Sequence, residues 1–197
     1  MPDKVFKMDA LRPLIVKGER VGLSPVIKDD LEKFVMWLND PSVACYLNRR
    51  LPLTYEDEVE WFDRMRKDPS NIVLSIIMLD EMKTIGSTGL HKINPYDGNA
   101  EFGIFIGEKD LWGKGLGTEA TVLMLDYGFN VLNLESIFLR VYEFNLRAIK
   151  CYRKVGFKDA GRLRHLRRGL NGYHNMLLMD ILRDEFNQLH ASRFLRD

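Results

Sequence analysis

The chain has 197 residues, a length that suits one domain burying roughly two thirds of its unfolded surface without disulfides or a metal. Its 29 basic and 28 acidic side chains give a net charge of +1, so no overall field favours nucleic acid or an anionic membrane. Neither Cys45 and Cys151 nor the 4 histidines show metal-ligand spacing, and no metal is predicted. Because the sequence has no signal-peptide pattern and no apolar run near the ~18 residues of a membrane span, we expect a cytoplasmic protein.

The first third of the chain predicts a short hairpin and two helices. Residues 1–13 are predicted to form a leader or a packing arm, and the hairpin follows them. Apolar side chains recur at helical spacing over residues 29–39 and predict the first helix. Thr54 and Asp57 resemble a capping box, so a second helix is predicted from there to the residue before Pro69.

The rest of the chain alternates strand and helix patterns. A meander of three strands is predicted over residues 71–79, 84–93 and 100–106. After it come a helix over 118–130, a strand over 136–141, a helix over 146–155 and a closing hairpin built from 158–163 and 173–182. An antiparallel meander followed by a strand–helix–strand unit predicts an α+β fold.

A glycine-rich loop precedes the helix that is predicted over residues 118–130. Gly113, Gly115 and Gly117 alternate with other residues and lead directly into this apolar-periodic helix. Glycines allow tight turns and close approach of an anion to backbone N–H groups, and the helix start adds unpaired N–H groups and a positive dipole end. The loop therefore predicts a pyrophosphate site, although its spacing fits neither a Rossmann fingerprint nor a Walker loop.

Together with two later motifs, this loop resembles the acetyl-CoA loop of the GNAT N-acetyltransferase superfamily. The later motifs are Asn145-x-x-Ala148-x-x-x-Tyr152 and the Val-Gly-Phe of residues 155–157. The resemblance extends from about Glu19 to Arg183, and it is nearest to the branch of ribosomal-protein N-terminal (RimJ/RimL-like) and spermidine acetyltransferases. It implies a GNAT fold over residues 1–197, with a mixed, mostly antiparallel sheet of about seven strands and helices on both faces.

The resemblance also implies acetyl-CoA as cosubstrate and a set of residues that bind it. Gly103 is expected to allow a bulge in its strand, which would free backbone N–H groups of residues 104–106 for the acetyl carbonyl and pantetheine. The family's usual Gln or Arg at the start of the loop is replaced by Trp112, so a polar contact from that position is lost. The cofactor-binding residues are predicted to be Ile104, Phe105, Ile106, Trp112, Gly113, Lys114, Gly115, Leu116, Gly117, Thr118, Asn145 and Ala148.

Two residues are the candidates for catalysis of acetyl transfer to an amine. An alkyl ammonium has a pKa of about 10.4 and must lose a proton before or during attack. Glu101, at the start of the strand that leads into the loop, is predicted either to accept this proton or to orient the amine. Tyr152 lies two helical turns after Asn145 on the same face, and the family likeness implies that its hydroxyl protonates the departing thiolate.

The acceptor amine is not identified by any motif. A protein N-terminal amine and a polyamine are the two candidates, and an acidic cluster within residues 56–63 could hold a polyamine or simply favour a helix start. A non-catalytic acyl-CoA-binding regulator is the alternative from another class. The arginines of residues 162–168 lack interleaved aromatic side chains, so the nucleic-acid signal is weak. No membrane partner is predicted, and a homo-oligomer is left open.

Overall fold

One eight-stranded sheet organises the chain. The computed structural model describes residues 12–47, 51–169 and 172–194. The strands are β1 Val16–Lys17, β2 Val21–Pro25, β3 Ile72–Met78, β4 Lys83–Asn94, β5 Asn99–Ile106, β6 Ser136–Tyr142, β7 Lys158–Gly169 and β8 Gly172–Leu182. The helices are α1 Lys28–Asn39, α2 Pro41–Ala44, α3 Tyr55–Met65, α4 Leu116–Asn130, α5 Leu146–Val155 and α6 Arg183–Leu189.

The α+β prediction is confirmed, with corrections to single elements. The sheet has eight strands rather than about seven, because a two-residue β1 pairs with β2. The short helix α2 was not predicted; it begins at Pro41, and its N-cap Asp40 accepts a hydrogen bond from the Ser42 N–H at 2.8 Å. Helix α6 was not predicted, and residues 1–11 of the predicted arm lie outside the described part.

The sheet separates two hydrophobic cores, one on each face. Helices α4, α5 and α6 pack on one face against alternate buried residues of the strands, such as Leu74, Ala100 and Phe102. Helices α1 and α3 pack on the other face, where they contact Val73 and Phe105. Because side chains alternate between the faces of a strand, each strand contributes to both cores.

Strands β5 and β6 run parallel and pair only at their beginnings. Their register covers Asn99↔Ser136, Ala100↔Ile137 and Glu101↔Phe138, after which the two strands separate. The sheet order is β1-β2-β3-β4-β5-β6-β8-β7, so β5 stays paired with β4, and β6 with β8. The separation therefore leaves an opening in the middle of the sheet.

The irregularity next to this opening lies in β4 and not in β5. Gly103 pairs regularly with Gly89, so the expected bulge at Gly103 is wrong. The register shift falls between His91 and Asn94, where Lys92 has a φ of 51°. One extra residue on β4 produces this bulge, whereas β5 needs none because it is not paired with β6 beyond Glu101.

The buried carboxylate of Asp30 joins α1 to the sheet and forms an ion pair with Arg12. The Asp30 carboxylate accepts hydrogen bonds from Ser75 and Thr84, both at 2.6 Å, and forms an ion pair with Arg12. It also accepts from the Ile27 N–H at 3.1 Å, which caps the start of α1. Burial raises the pKa of Asp30, but the hydrogen bonds from Arg12, Ser75 and Thr84 outweigh it and hold the pKa below its usual value.

We expect Asp30→Asn to lower the free energy of unfolding by about 3 kcal/mol, because the Arg12 guanidinium then stays buried without its counter-charge. Equilibrium chemical unfolding at pH 7 measures this loss. Asp29→Asn is the matched control, since Asp29 is exposed on the same helical turn and should change stability by only a few tenths of a kcal/mol. An equal effect of both substitutions would contradict a special role of the buried pair.

The same carboxylate predicts a pH dependence of stability. Because the pKa of Asp30 is lower in the folded state than its ordinary value near 3.8, its ionised form adds stability above that pH. This contribution is lost as the pH falls through the folded-state pKa. The stability difference between wild type and Asp30→Asn should therefore shrink below about pH 4.

Candidate active site

A cavity of about 950 Å³ lies at the separation of β5 and β6. It is lined by the glycine loop, the two diverging strands, α5 and the end of α2. Of the residues predicted from the sequence, all except Lys114 line this one cavity. Lys114 belongs to the loop, but its side chain is exposed and its carbonyl accepts a hydrogen bond from Arg20 Nη1 at 2.9 Å.

The glycine loop has the backbone conformation that only glycine adopts easily. Gly113 and Gly115 have φ values of 77° and 84°, in the left-handed region. Gly115 is the N-cap of α4, so the N–H groups of Leu116, Gly117 and Thr118 lie in the first helical turn and have no intrahelical acceptor. These N–H groups and the positive end of the helix dipole suit a pyrophosphate.

Trp112 fixes the start of this loop. Its indole Nε1 donates a hydrogen bond to the Ile106 carbonyl at 2.8 Å, which ties the loop to the end of β5. The Arg147 guanidinium lies over the Trp112 ring, 3.7 Å from the centroid, and faces Tyr46 at 5.3 Å. In place of a polar contact to the cosubstrate, Trp112 therefore supplies an aromatic surface that positions a cation at the cavity.

Alternate N–H groups of β5 face the opening. The Gly107 N–H donates to Ile85 of β4 at 2.9 Å, and the Gly103 carbonyl accepts from Thr88 of β4 at 3.0 Å. Since backbone groups alternate along a strand, the odd-numbered residues, including Phe105, are directed towards β4. We therefore infer that the N–H groups of Ile104 and Ile106 face the cavity, while Phe105 lines it with its side chain.

Helix α5 supplies the remaining predicted contacts and three cations that the sequence analysis missed. Asn145 is its N-cap, and its Oδ1 accepts from the Ala148 N–H at 3.2 Å, so its amide NH2 remains the donor for a ligand. Three cations of α5 line the cavity and could meet phosphate groups: Arg147, Lys150 and Lys154. Arg147, Lys150 and Lys154 recur at helical spacing, about half a turn around α5 from Asn145 and Tyr152, so the sequence pattern alone indicates only a solvated helix face.

Tyr152 lies on the opposite side of the sheet from α1 and α3. Its ring is buried against Phe102 and Phe157, with centroid distances of 6.1 and 5.8 Å. Burial raises the pKa of its hydroxyl far above the usual value, and the neighbouring Cys151 adds to the effect. The hydroxyl therefore keeps its proton at neutral pH and can serve as a hydrogen-bond donor.

Cys151 is a poor nucleophile in this setting. Its Sγ lies 3.3 Å from Thr118 Oγ1, and burial is the main reason why the pKa of the thiol is higher than usual. A covalent acetyl-cysteine route requires a thiolate and a nearby base. This environment suits a packing residue.

Glu101 lies on the face of α1 and α3, between two cations. Arg140 Nε contacts one carboxylate oxygen at 2.6 Å, and Lys92 Nζ contacts the other at 3.0 Å. Burial raises the pKa of Glu101, but the hydrogen bonds from Arg140 and Lys92 lower it by more, so the net pKa is below the usual value. Such a carboxylate attracts and orients a cation better than it accepts a proton.

The cavity lining also includes residues that had no signal in the sequence. Val43, Tyr46 and Leu47 come from α2 and the turn after it, and Leu166 and Met176 come from the closing hairpin. Arg167 Nη1 donates to the Leu47 carbonyl at 2.9 Å and thereby ties this hairpin to α2. The acidic side chains of α3 are not among the lining residues, and Asp57 closes the predicted capping box with Thr54.

The described ranges 12–47, 51–169 and 172–194 contain no group of three or more His, Cys, Asp or Glu side chains that could hold a metal ion. No helix in these ranges is long and apolar enough to cross a membrane.

Comparisons with known proteins agree with this geometry. The family model described as acetyltransferase (GNAT) domain matches residues 20–158. Spermidine N(1)-acetyltransferase of Escherichia coli K12 is 34% identical over 173 residues, which cover 87% of this chain and 91% of the relative. An uncharacterized N-acetyltransferase, p20 of Bacillus licheniformis, is 28% identical over 85% of this chain and 96% of its own length.

Solved structures show the same fold. Spermidine N-acetyltransferase from Vibrio cholerae, solved with CoA and spermine, superimposes with a TM-score of 0.80 at 24% identity and covers 86% of this chain and 99% of that one. Since the family model matches more than half of the chain and a relative above 30% identity spans most of it, the chain belongs to the GNAT acetyltransferase family and is an acetyl-CoA-dependent N-acetyltransferase.

Proposed function

We propose that acetyl transfer is direct, with the amine entering on the face of Glu101 and the thioester lying between the glycine loop and Tyr152. The observation that supports this proposal is the cavity at the separation of β5 and β6, because its lining includes residues from both faces of the sheet. Acetyl-CoA, when bound, supplies the acetyl thioester. The left-handed glycines, the free N–H groups at the start of α4 and the cations of α5 fit its pyrophosphate and phosphate groups.

Each protein group has one role in this proposal. The N–H groups of Ile104 and Ile106 stabilise negative charge that develops on the thioester carbonyl oxygen. The Tyr152 hydroxyl donates its proton to the sulfur as the carbon–sulfur bond breaks. Glu101, which is held ionised by Arg140 and Lys92, attracts and orients the acceptor ammonium.

We infer that the acceptor is a protein N-terminal amine rather than a polycation. Among the described residues that line the cavity, Glu101 is the one acid, and its charge is already shared by two cations. A polyamine is protonated at every amine near neutral pH, so it would meet Arg140 without a compensating acid. The names of the relatives nevertheless make a polyamine the second candidate.

We therefore expect a higher kcat/KM for a tetrapeptide with a free α-amine and uncharged side chains than for spermidine. Release of the CoA thiol at saturating acetyl-CoA measures both values. The physical reason is that a single α-amine has a pKa of about 8 and brings one charge rather than several. A tenfold higher kcat/KM for spermidine would assign the acceptor to the polyamines and leave the acetyltransferase activity intact.

We expect Tyr152→Phe to lower kcat about 10²-fold, the lower end of general-acid effects, because a thiolate leaves fairly well without help. The affinity for CoA, measured by calorimetry, should change little because the ring still packs on Phe102 and Phe157. Tyr96→Phe is the matched control, since Tyr96 is 95% exposed in a turn outside the cavity. Full turnover of Tyr152→Phe, with chemistry rate-limiting, would make Tyr152 a packing residue.

A cytoplasmic location stays a prediction from the sequence, as does the assembly state.

A further inference from the structure

We propose that His91 is the catalytic base and that its Nε2 accepts the proton of the acceptor ammonium. This inference rests on the proposed transfer to an amine. His91 pairs with Glu101 across β4 and β5, so both side chains lie on the same face of the sheet. Both residues line the cavity.

The hydrogen bonds behind His91 determine which ring nitrogen carries the proton. The exposed Asp68 carboxylate accepts from Asn71 Nδ2 at 2.6 Å, so the amide of Asn71 turns its Oδ1 away from Asp68. That Oδ1 lies 3.0 Å from His91 Nδ1. Because an amide oxygen only accepts, Nδ1 must donate, and the neutral ring keeps its lone pair on Nε2.

The free nitrogen faces the opening in the sheet. A Cβ built on Gly103 would lie 3.4 Å from His91 Nε2, so the ring edge lies over the backbone of β5 two residues after Glu101, the last residue paired with β6. Within the described residues, Nε2 has no hydrogen-bond partner of its own. Glycine at 103 leaves this space open for the ring and for an incoming amine.

The charges around the ring favour its neutral form. Burial lowers the pKa of His91, the Glu101 carboxylate of β5 raises it, and Lys92 of β4 lowers it, with a net decrease. Two further charged groups are separated from the His91 ring by a neighbour. Asp68 contacts Asn71, and Arg140 of β6 contacts Glu101. Unlike Glu101, whose two oxygens already contact cations, His91 is thus an unprotonated and unoccupied base at neutral pH.

The proton balance of the step closes without another reactant. One ammonium N–H bond breaks, an Nε2–H bond forms on His91, and the freed electron pair of the nitrogen bonds to the carbonyl carbon. The carbon–sulfur bond breaks, and Tyr152 gives its proton to the sulfur. The nitrogen loses a second proton as the amide forms. Of the two released protons, one replaces that of Tyr152 through solvent, and the other leaves His91 for the solvent.

The test is His91→Asn, which keeps a donor for the Asn71 oxygen and removes the basic nitrogen. We expect kcat/KM for the amine to fall at least 10²-fold at pH 7. The decline of wild-type activity towards low pH, which comes from protonation of His91, should disappear, and activity should recover as alkaline pH deprotonates the amine in solution. His165→Asn is the matched control, because His165 is exposed with a φ of 52°, which asparagine tolerates.

Two further variants separate His91 from Glu101. Glu101→Gln should raise KM for the amine. It should also shift the low-pH limb of the kcat/KM profile to lower pH, since the loss of a nearby negative charge lowers the pKa of His91. Lys92→Gln should shift that limb to higher pH, because the loss of a nearby positive charge raises the pKa of His91. Lys92 is exposed enough to be replaced without unfolding. The profile must extend to about pH 4, because the limb of His91 lies below pH 6.5 and that of a Glu101 base would lie below pH 4.5.

The outcomes are distinct. Undiminished kcat/KM in His91→Asn, or an unchanged low-pH limb, overturns the inference while amine acetylation by the wild type stands. If the wild type acetylates neither a peptide nor spermidine, the proposed function fails first. Should His91→Asn not fold, nitrogen NMR of the wild-type imidazole decides: a proton on Nδ1 and a bare Nε2 support the inference, and a proton on Nε2 at neutral pH overturns it.

Discussion

The separation of β5 from β6 is the constraint on which the rest of the site depends. Parallel strands normally stay paired along their length, but here only three residue pairs join them. Beyond Glu101, β5 turns backbone N–H groups towards an opening that reaches both faces of the sheet. We propose that an amine and a thioester approach one another from opposite faces through this opening.

The elements around the opening keep it from closing. Phe105 packs between Phe34 and Trp37 on α1, with centroid distances of 5.8 and 6.3 Å, and so holds β5 against that face. Trp112 ties the glycine loop to the last residue of β5. On the other side, β6 is held over its whole length by β8. Strands β5 and β6 are thus each held by other elements and not by one another.

Local patterns in the sequence picked out residues that the fold brings together, and their contacts with the cosubstrate stay a prediction. Alternate glycines before a helix, and Asn145 with Tyr152 two turns apart, are short-range signals whose meaning does not depend on distant contacts. All of the predicted residues except Lys114 lie around one cavity for this reason.

The acceptor side could not be predicted, because its residues meet only through tertiary structure. The role of His91 depends on Asn71, twenty residues earlier, and on a register with Glu101 that no local pattern fixes. The two cations that hold Glu101 come from different strands. The bulge expected at Gly103 was wrong for a related reason, since a glycine permits an irregularity but the pairing of β4 decides where it lies.

Intact-mass measurement of the enzyme incubated with acetyl-CoA in the absence of an amine tests direct transfer across the opening most simply. The account predicts an unmodified protein, because Cys151 keeps its proton and Tyr152 only donates one. On addition of the acceptor, acetylated amine and free CoA should form together with the protein mass unchanged. An acetyl group found on Cys151, and lost when the amine is added, would contradict the account and establish a covalent route.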